Sequence, residues 1–273
     1  MVRAELERRD IIYTAATAEG TPTAVIILPI SRTGKVHDRE TRGYNPEHMP
    51  FDFSLNGDNP KAVWLNSIAG DWRQTSSEVL DALEPREKIV FGTTLGTDTL
   101  KKGSQSPEMI RRVLERADFA AQNVEEGRRL LEIIGVDSSQ TIHPAEVAYR
   151  LSMIGREKTV LLSDGEKGAY IAAEGNVLHG NIIPTTEIST LGAGDGAAAG
   201  GLAKHLTDGN PGWTLGAAIA NGASIVRYAG SMDGGLSNEE LMEKVTKHEK
   251  TIDMRVIYSK GEFLPNPHAV SIK

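Results

Sequence analysis

Short apolar segments alternate with amphipathic ones along most of the chain, and this alternation restricts the folds that it can adopt. Four apolar segments have the length of buried strands: "KAVWLNS", "KIVFGTT", "ADFAAQN" and "KTVLLSDG". Other segments carry apolar residues at helical spacing, among them "PEMIRRVLERA", "VEEGRRLLEIIG" and "PAEVAYRLSMIG". Strands that alternate with helices predict an α/β fold, with a mostly parallel sheet flanked by helices.

The ends of several helices carry local signals. Ser106 precedes a proline and an acidic residue, as expected of an N-cap, and Gly135 is placed to end a helix. Ser237 and Glu240 have capping-box spacing ahead of "ELMEKVTKHEK". A hairpin is predicted for "GAYIAAEGNVLHGNII", and we expect a strand and an extended arm after Thr251.

Composition narrows the class of protein. The chain has 273 residues, enough for one large domain or two modest ones. A net charge of -7 disfavours nucleic acid and acidic membranes as partners. The absence of cysteine excludes disulfides, thiolate metal sites and a cysteine nucleophile. Because no apolar run reaches the ~20 residues of a membrane span and "MVRAELERRD" lacks a signal-peptide core, we predict a cytoplasmic protein.

A glycine-rich segment, "STLGAGDGAAAGG", stands directly before a helical pattern. The small residues Gly192, Ala193 and Gly194 let the backbone approach a ligand closely, and their N–H groups can point inward at an anion. The positive end of the following helix adds to this preference for negative charge. Asp195 would repel a permanently bound phosphate, but it could take a proton from the hydroxyl that accepts a phosphoryl group. Asp is also a favoured N-cap, so an ordinary helix start remains an alternative.

This segment closely resembles the C-terminal signature of the ribokinase family, the PfkB-type carbohydrate kinases, usually D-T-x-G-A-G-D. The positions that match are Thr190, Gly192, Ala193, Gly194 and Asp195. The resemblance implies a ribokinase-like fold in which the aspartate is the catalytic base and the G-A-G amides form the anion hole. It extends collinearly from about Ala4 to Glu240, although only the G-A-G-D segment is specific by itself.

Other stretches resemble the family's nucleotide-binding positions. By resemblance, the residues implied to contact ATP or Mg²⁺ are Asn123, Glu126, Ser163, Gly165, Gly168 and Asn221. Asn123 and Glu126 match the N-x-x-E motif, which is associated with magnesium and phosphate, and Asn221 lies on the adenine side. Each also has a structural alternative. Asn123 could cap the next helix with Glu126 in its first turn, Ser163 could belong to a turn, and Asn221 could satisfy a buried polar neighbour.

The N-terminal region resembles the lid of the family. "TAVIILPISRTGKVHDRETRGYN" reads as a hairpin that ends in the usual R-G-x-N at Arg42, Gly43 and Asn45. We therefore expect a single ribokinase-like domain over residues 1–273, with residues 11–45 as lid and a homodimer possible through it. The first strand and the G-G-x-x-x-N segment of the family are missing, so the domain is expected to be incomplete by roughly eighty residues.

A second departure is Ser189, which replaces the acidic residue that helps to ligate a monovalent cation in many relatives. A neutral hydroxyl is a weaker ligand for a hard cation than a carboxylate, so potassium activation is not expected.

The resemblance implies an ATP-dependent phosphotransferase that acts on the hydroxyl of a sugar or sugar-like alcohol. Asn66 and Ser67 follow a predicted strand and are candidates to contact the acceptor, a sugar or nucleoside. Two alternatives remain: a non-catalytic nucleotide-binding remnant of a carbohydrate kinase, and an oligomerisation module that pairs through Thr21 to Glu40.

Overall fold

A computed structural model describes residues 62–66, 71–86, 88–101, 103, 105–136, 142–230 and 233–270. In this part of the chain one sheet contains eight strands, and their spatial order follows their order in the sequence. The strands are β1 (Ala62–Leu65), β2 (Val90–Thr93), β3 (Phe119–Asn123), β4 (Thr159–Ser163), β5 (Ala169–Ala173), β6 (Asn176–Gly180), β7 (Arg255–Ser259) and β8 (Glu262–Ala269).

The sheet has a parallel half and an antiparallel half. Strands β1 to β4 pair in parallel, each through a crossover that contains helix. Strands β4 to β8 pair antiparallel, each with the next. The predicted α/β arrangement with flanking helices is confirmed, and its parallel part comprises the strands that alternate with helices in the sequence.

Helices cover both faces of the sheet. They are α1 (Trp72–Leu83), α2 (Thr97–Leu100), α3 (Pro107–Arg116), α4 (Val124–Ile133), α5 (Pro144–Ser152), α6 (Ala193–Asp208), α7 (Pro211–Ile225), α8 (Asn238–Lys247) and α9 (Glu249–Ile252). One apolar cluster joins the sheet to α1, α3, α4 and α5. The other joins it to α6, α7 and α8, which gives three layers around two cores.

The local signals found in the sequence lie at helix ends in the structure. Ser106 caps α3 through a hydrogen bond from the Met109 amide at 3.3 Å. Ser237 and Glu240 form the predicted capping box of α8. The first helix begins at Trp72, because the Asp71 side chain accepts from the Gln74 amide and caps the helix there.

Two hairpins with two-residue turns lie in the antiparallel half, which also contains the pairings of β4 with β5 and of β6 with β7. The predicted one joins β5 to β6 through Glu174 and Gly175, whose φ angles of 52° and 72° are those of a tight two-residue turn. The second replaces the extended arm expected near the C-terminus: β7 and β8 pair with each other and lengthen the sheet. Pro265 and Pro267 lie on the outer strand, where a missing N–H does not interrupt the sheet.

Several predictions fall outside the described residues. These are the lid at residues 11–45 with its hairpin at 21–40, the R-G-x-N residues Arg42, Gly43 and Asn45, the dimer through the lid, and Ser67. Asn66, at the end of β1, is described and exposed. Among the helices in the described ranges, none has the length and apolar character needed to span a bilayer.

Candidate active site

A cavity of about 670 Å³ opens at the carboxyl ends of β3 and β4. The loop after β4, the segment between β6 and α6, the start of α6 and the second half of α7 surround it. Six of the predicted site residues line this cavity: Asn123, Ser163, Gly165, Gly168, Ala193 and Gly194. Residues that lie up to about 70 positions apart in the sequence therefore meet at one edge of the sheet, as expected for an α/β fold.

The start of α6 presents free backbone donors. Gly192 is its N-cap, with a left-handed φ of 78° and no side-chain capping bond. The Ala193 amide donates to the Thr190 carbonyl at 3.2 Å. Within the described part of the chain, no acceptor is bonded to the amides of Gly192, Gly194 and Asp195. These amides and the positive end of a 16-residue helix favour an anion at this position.

Asp195 lies in the first turn of α6, two residues after the first helical position. Its side chain is exposed and makes no hydrogen bond to any described residue. The alternative in which Asp195 caps its own helix is wrong, because Gly192 occupies the cap position. The carboxylate is therefore available to a bound molecule.

Asn123 and Glu126 form a capping box at the start of α4. The Asn123 Oδ1 accepts from the Glu126 amide at 2.8 Å, and the Glu126 Oε2 accepts from the Asn123 amide at 3.0 Å. The structural alternative for this pair is thus confirmed. One carboxylate oxygen of Glu126 has no hydrogen-bond partner among the described residues.

The charge of Glu126 is costly in this position. Burial raises the pKa of its carboxyl group; the hydrogen bond from the Asn123 amide lowers it, and the negative charge of Asp195 raises it further. A divalent cation near the carboxylates of Glu126 and Asp195 would stabilise their charged forms. Since the described residues contain no cluster of three acidic or histidine side chains, Mg²⁺ fits here only with phosphate oxygens and water as further ligands.

The loop after β4 folds back on itself. The Asp164 amide donates to the Gly168 carbonyl at 2.9 Å, and the Lys167 amide donates to the Asp164 carbonyl at 3.0 Å. Gly168 has a φ of 96°, and a β-carbon there would lie 2.0 Å from the Gly180 carbonyl oxygen. Only glycine fits this close approach, which keeps Gly165 and Gly168 on the cavity wall.

Asn221 lies beside the cavity without lining it. It is buried, its Nδ2 donates to the Gly196 carbonyl at 2.7 Å, and its Oδ1 accepts from the Leu236 amide at 3.0 Å. The side chain therefore ties α7 to α6 and to the segment before α8, which agrees with its structural alternative.

Ser189 is fully buried next to the same helix start. Its hydroxyl oxygen accepts from the Leu191 amide at 3.1 Å, and its own amide donates to the Val226 carbonyl at 3.2 Å. Both groups therefore hold the backbone that leads into α6.

Sequence reasoning missed much of the cavity wall. The residues of the cavity wall that were not predicted include the apolar Ala169, Ile182, Ile183, Ala197, Ala218, Ile219, Ala223 and Val226, together with Gly222 and the polar Glu166, Thr185 and Glu187. The segment between β6 and α6 has no periodic pattern, and the small residues of α7 gave only a weak signal. Their positions depend on how α7 packs against α6.

Comparison with known proteins agrees with this architecture. The sequence matches the family described as pfkB family carbohydrate kinase over residues 98–237, about half of the chain. A search of curated proteins found no match. The chain belongs to the pfkB family of carbohydrate kinases.

Solved structures show the same fold at low sequence identity. Ribokinase from Thermotoga maritima is 14% identical with a TM-score of 0.69, and the alignment covers 90% of this chain and 76% of that one. For ribokinase from Giardia lamblia the values are 17%, 0.68, 90% and 78%. Arabidopsis thaliana ribokinase, solved with ribose and ATP, is 20% identical with a TM-score of 0.54, covering 68% of this chain and 55% of that one. The fold is therefore ribokinase-like.

Proposed function

We propose that this protein transfers the γ-phosphoryl group of ATP to the hydroxyl of a sugar or sugar-like alcohol. The observation that carries the proposal is the start of α6, where unpaired amides and an unpaired carboxylate stand side by side. Neither group is used to cap the helix, because the cap position is occupied by Gly192. Family membership supports the same reaction class.

In the proposed reaction the amides of Gly192, Gly194 and Asp195 face the transferring phosphoryl group. They stabilise the negative charge that spreads over its equatorial oxygens. The Asp195 carboxylate takes the proton of the acceptor hydroxyl while the hydroxyl oxygen forms its bond to phosphorus. The bond between phosphorus and the bridging oxygen breaks at the same centre, and ADP leaves with that electron pair.

The rest of the cavity would hold the nucleotide. Ser163, Gly165 and Gly168 are proposed to contact its phosphates, and the apolar surface of α7 around Ile219 and Ala223 its base. The ATP complex of the Arabidopsis thaliana relative supports this class of donor. Asn221 would act indirectly, by fixing α7 against α6.

Magnesium would neutralise the phosphate oxygens when it is bound. Glu126 would hold it through the carboxylate oxygen that the capping box leaves unused, in part through water, with Asn123 alongside. Both side chains are already fixed by their mutual hydrogen bonds, so they would lose little conformational freedom on binding.

The proposal is tested by measuring ATP consumption with a panel of sugars and nucleosides. We expect acceptor-dependent turnover in the wild type and a loss of about 10³-fold in Asp195→Asn, with melting temperature nearly unchanged because Asp195 makes no hydrogen bond to the described protein. Asp81→Asn, on the exposed face of α1, is the control: it gives up an exposed ion pair with Arg112 and should retain activity.

Two outcomes would contradict the proposal. If the wild type binds nucleotide but no acceptor gives turnover, the chain is a nucleotide-binding remnant. If Asp195→Asn and the wild type turn over a substrate equally, the carboxylate is not the base.

A further inference from the structure

His179 stands behind the loop that the proposed function assigns to the nucleotide phosphates, the loop of residues 164–168. It lies on β6, and its Nε2 is 2.8 Å from the Lys167 carbonyl oxygen. A carbonyl oxygen only accepts, so Nε2 carries the proton and donates. This hydrogen bond joins the loop to a strand 12 residues further along the chain.

The bond complements the internal bonds of the loop. The amides of Asp164, Lys167 and Gly168 donate to carbonyl groups within the loop, whereas the Lys167 carbonyl has its contact outside it. The next residue of β6 presses on the same loop, since the Gly180 carbonyl leaves no room for a β-carbon on Gly168. Two adjacent residues of β6 therefore set the distance between the loop and the sheet.

The ring of His179 is itself held in place. It packs on the Tyr170 ring, with centroids 4.6 Å apart, at the directly opposite position on β5. Tyr170 in turn meets the His143 ring edge-on at 6.1 Å. A half-buried ring supported in this way keeps its Nε2 directed at the loop without further loss of entropy.

We infer that His179 is a positioning residue for the phosphoryl donor, which acts by holding the loop of residues 164–168 at the cavity wall. This inference rests on the proposed function. His179 touches neither the free amides of α6 nor Asp195 in the described contacts. Its loss should therefore weaken donor binding and leave the chemistry at the acceptor largely intact.

The experiment compares steady-state kinetics of three variants with the wild type. His179→Ala is expected to raise KM for ATP about tenfold, with kcat and the acceptor KM within about twofold, since one hydrogen bond is lost. His179→Gln, whose side-chain amide keeps a donor at similar reach, should restore most of the difference. His268→Ala, on the exposed strand β8, is the matched control and should behave as wild type.

Nucleotide binding and thermal melting complete the test. Direct binding of a non-hydrolysable ATP analogue should show the same loss in His179→Ala and the same rescue in His179→Gln. Wild-type protein that binds the analogue, with His179→Ala binding it equally, overturns the inference alone. Equal loss in His179→Ala and His179→Gln also overturns it, as does a fall in melting temperature with no specific loss in ATP affinity. Wild-type protein that binds no nucleotide contradicts the proposed function instead.

Discussion

Two helices begin at the wall of the same cavity, and they differ in whether side chains bond their first backbone amides. At the start of α4, Asn123 and Glu126 satisfy each other's backbone donors in a complete capping box. At the start of α6, Gly192 has no side chain to offer, and the acidic residue in the first turn remains unpaired. The start of α4 is stabilised by its own side chains, whereas the start of α6 leaves its first amides and its positive end without a capping side chain.

The difference sets a helix start that stabilises itself beside one to which we assign a role in the proposed reaction. A capped helix start contributes about 1 kcal/mol to folding. The glycine cap of α6 contributes roughly a few tenths of a kcal/mol less than that, and the helix start is held by packing and by the Asn221 hydrogen bonds to Gly196 and Leu236. Its other end is closed by Gly209 in the left-handed region and by the Lys204–Asp208 ion pair at 2.7 Å.

After the loss predicted for Asp195→Asn, the next largest effect on activity is expected from replacing Gly192, the N-cap of α6. Gly192→Ala places a β-carbon at a φ of 78°, which should cost about 1–2 kcal/mol of stability and displace the free amides. We expect kcat to fall about 100-fold, the usual effect of losing one such donor. Phosphoryl-transfer kinetics and thermal melting measure the two effects.

Gly209→Ala is the matched control at the closed end of the same helix, where φ is 69°. It should cost similar stability and leave kcat unchanged. Equal loss of activity in both variants would mean that general strain in α6, and not the orientation of its first amides, controls catalysis.

A smaller effect on activity is expected from Glu126→Gln, which removes the negative charge of the capping box of α4. Because burial raises the pKa of Glu126 in the fold above its ordinary value of 4.5, the folded state holds this proton more tightly than the unfolded state does. Wild-type stability should therefore fall as pH rises from 4.5 through the folded pKa. Glu126→Gln keeps an oxygen for the cap but removes this pH dependence.

At neutral pH Glu126→Gln should melt higher than the wild type and yet lose about tenfold in magnesium-dependent activity, the usual cost of a lost outer ligand. Melting curves across the pH range and magnesium titrations test both parts. A variant that is destabilised at neutral pH, or equally active at limiting magnesium, would contradict the assignment.

Removing the cap itself tests the stability side of the comparison. Asn123→Ala and Ser237→Ala each delete the first residue of a capping box, and each should cost about 1 kcal/mol, which denaturant unfolding will resolve. The Ser237 box lies on α8, away from the cavity lining, so only Asn123→Ala should weaken magnesium dependence. Equal magnesium dependence in the two variants would remove Asn123 from the proposed site.

The smallest effect on the reaction rate is expected from exchanging one monovalent cation for another. The Ser189 hydroxyl accepts from the Leu191 amide and is fully buried, so it is occupied in holding the approach to α6. Exchange of sodium for potassium at constant ionic strength should change the rate by less than about twofold. A strong and saturable potassium activation would show that other groups form a cation site.

Local chemistry predicted much of this molecule. Capping at Ser106 and Ser237 depends on groups three residues apart, and the turn at Glu174 and Gly175 on two adjacent residues. The strand and helix periods predicted the parallel half of the sheet. The G-A-G-D segment identified the helix start with free amides, although the structure shows that the Ala193 amide is bonded to Thr190 and that the Asp195 amide takes its place among the free donors.

Only the tertiary structure revealed the remaining contacts, because they join groups that are distant in the chain. The two partners of Asn221 lie 25 and 15 residues away, and no local pattern reveals that both of its polar atoms are used. The contact from His179 to Lys167 and the pairing of β7 with β6 arise in the same way. Sequence by itself indicated which helix start combines small residues with free backbone amides, since both follow from a short local segment. Packing determined which side chains surround it, since those contacts form only when the sheet and both helix layers assemble.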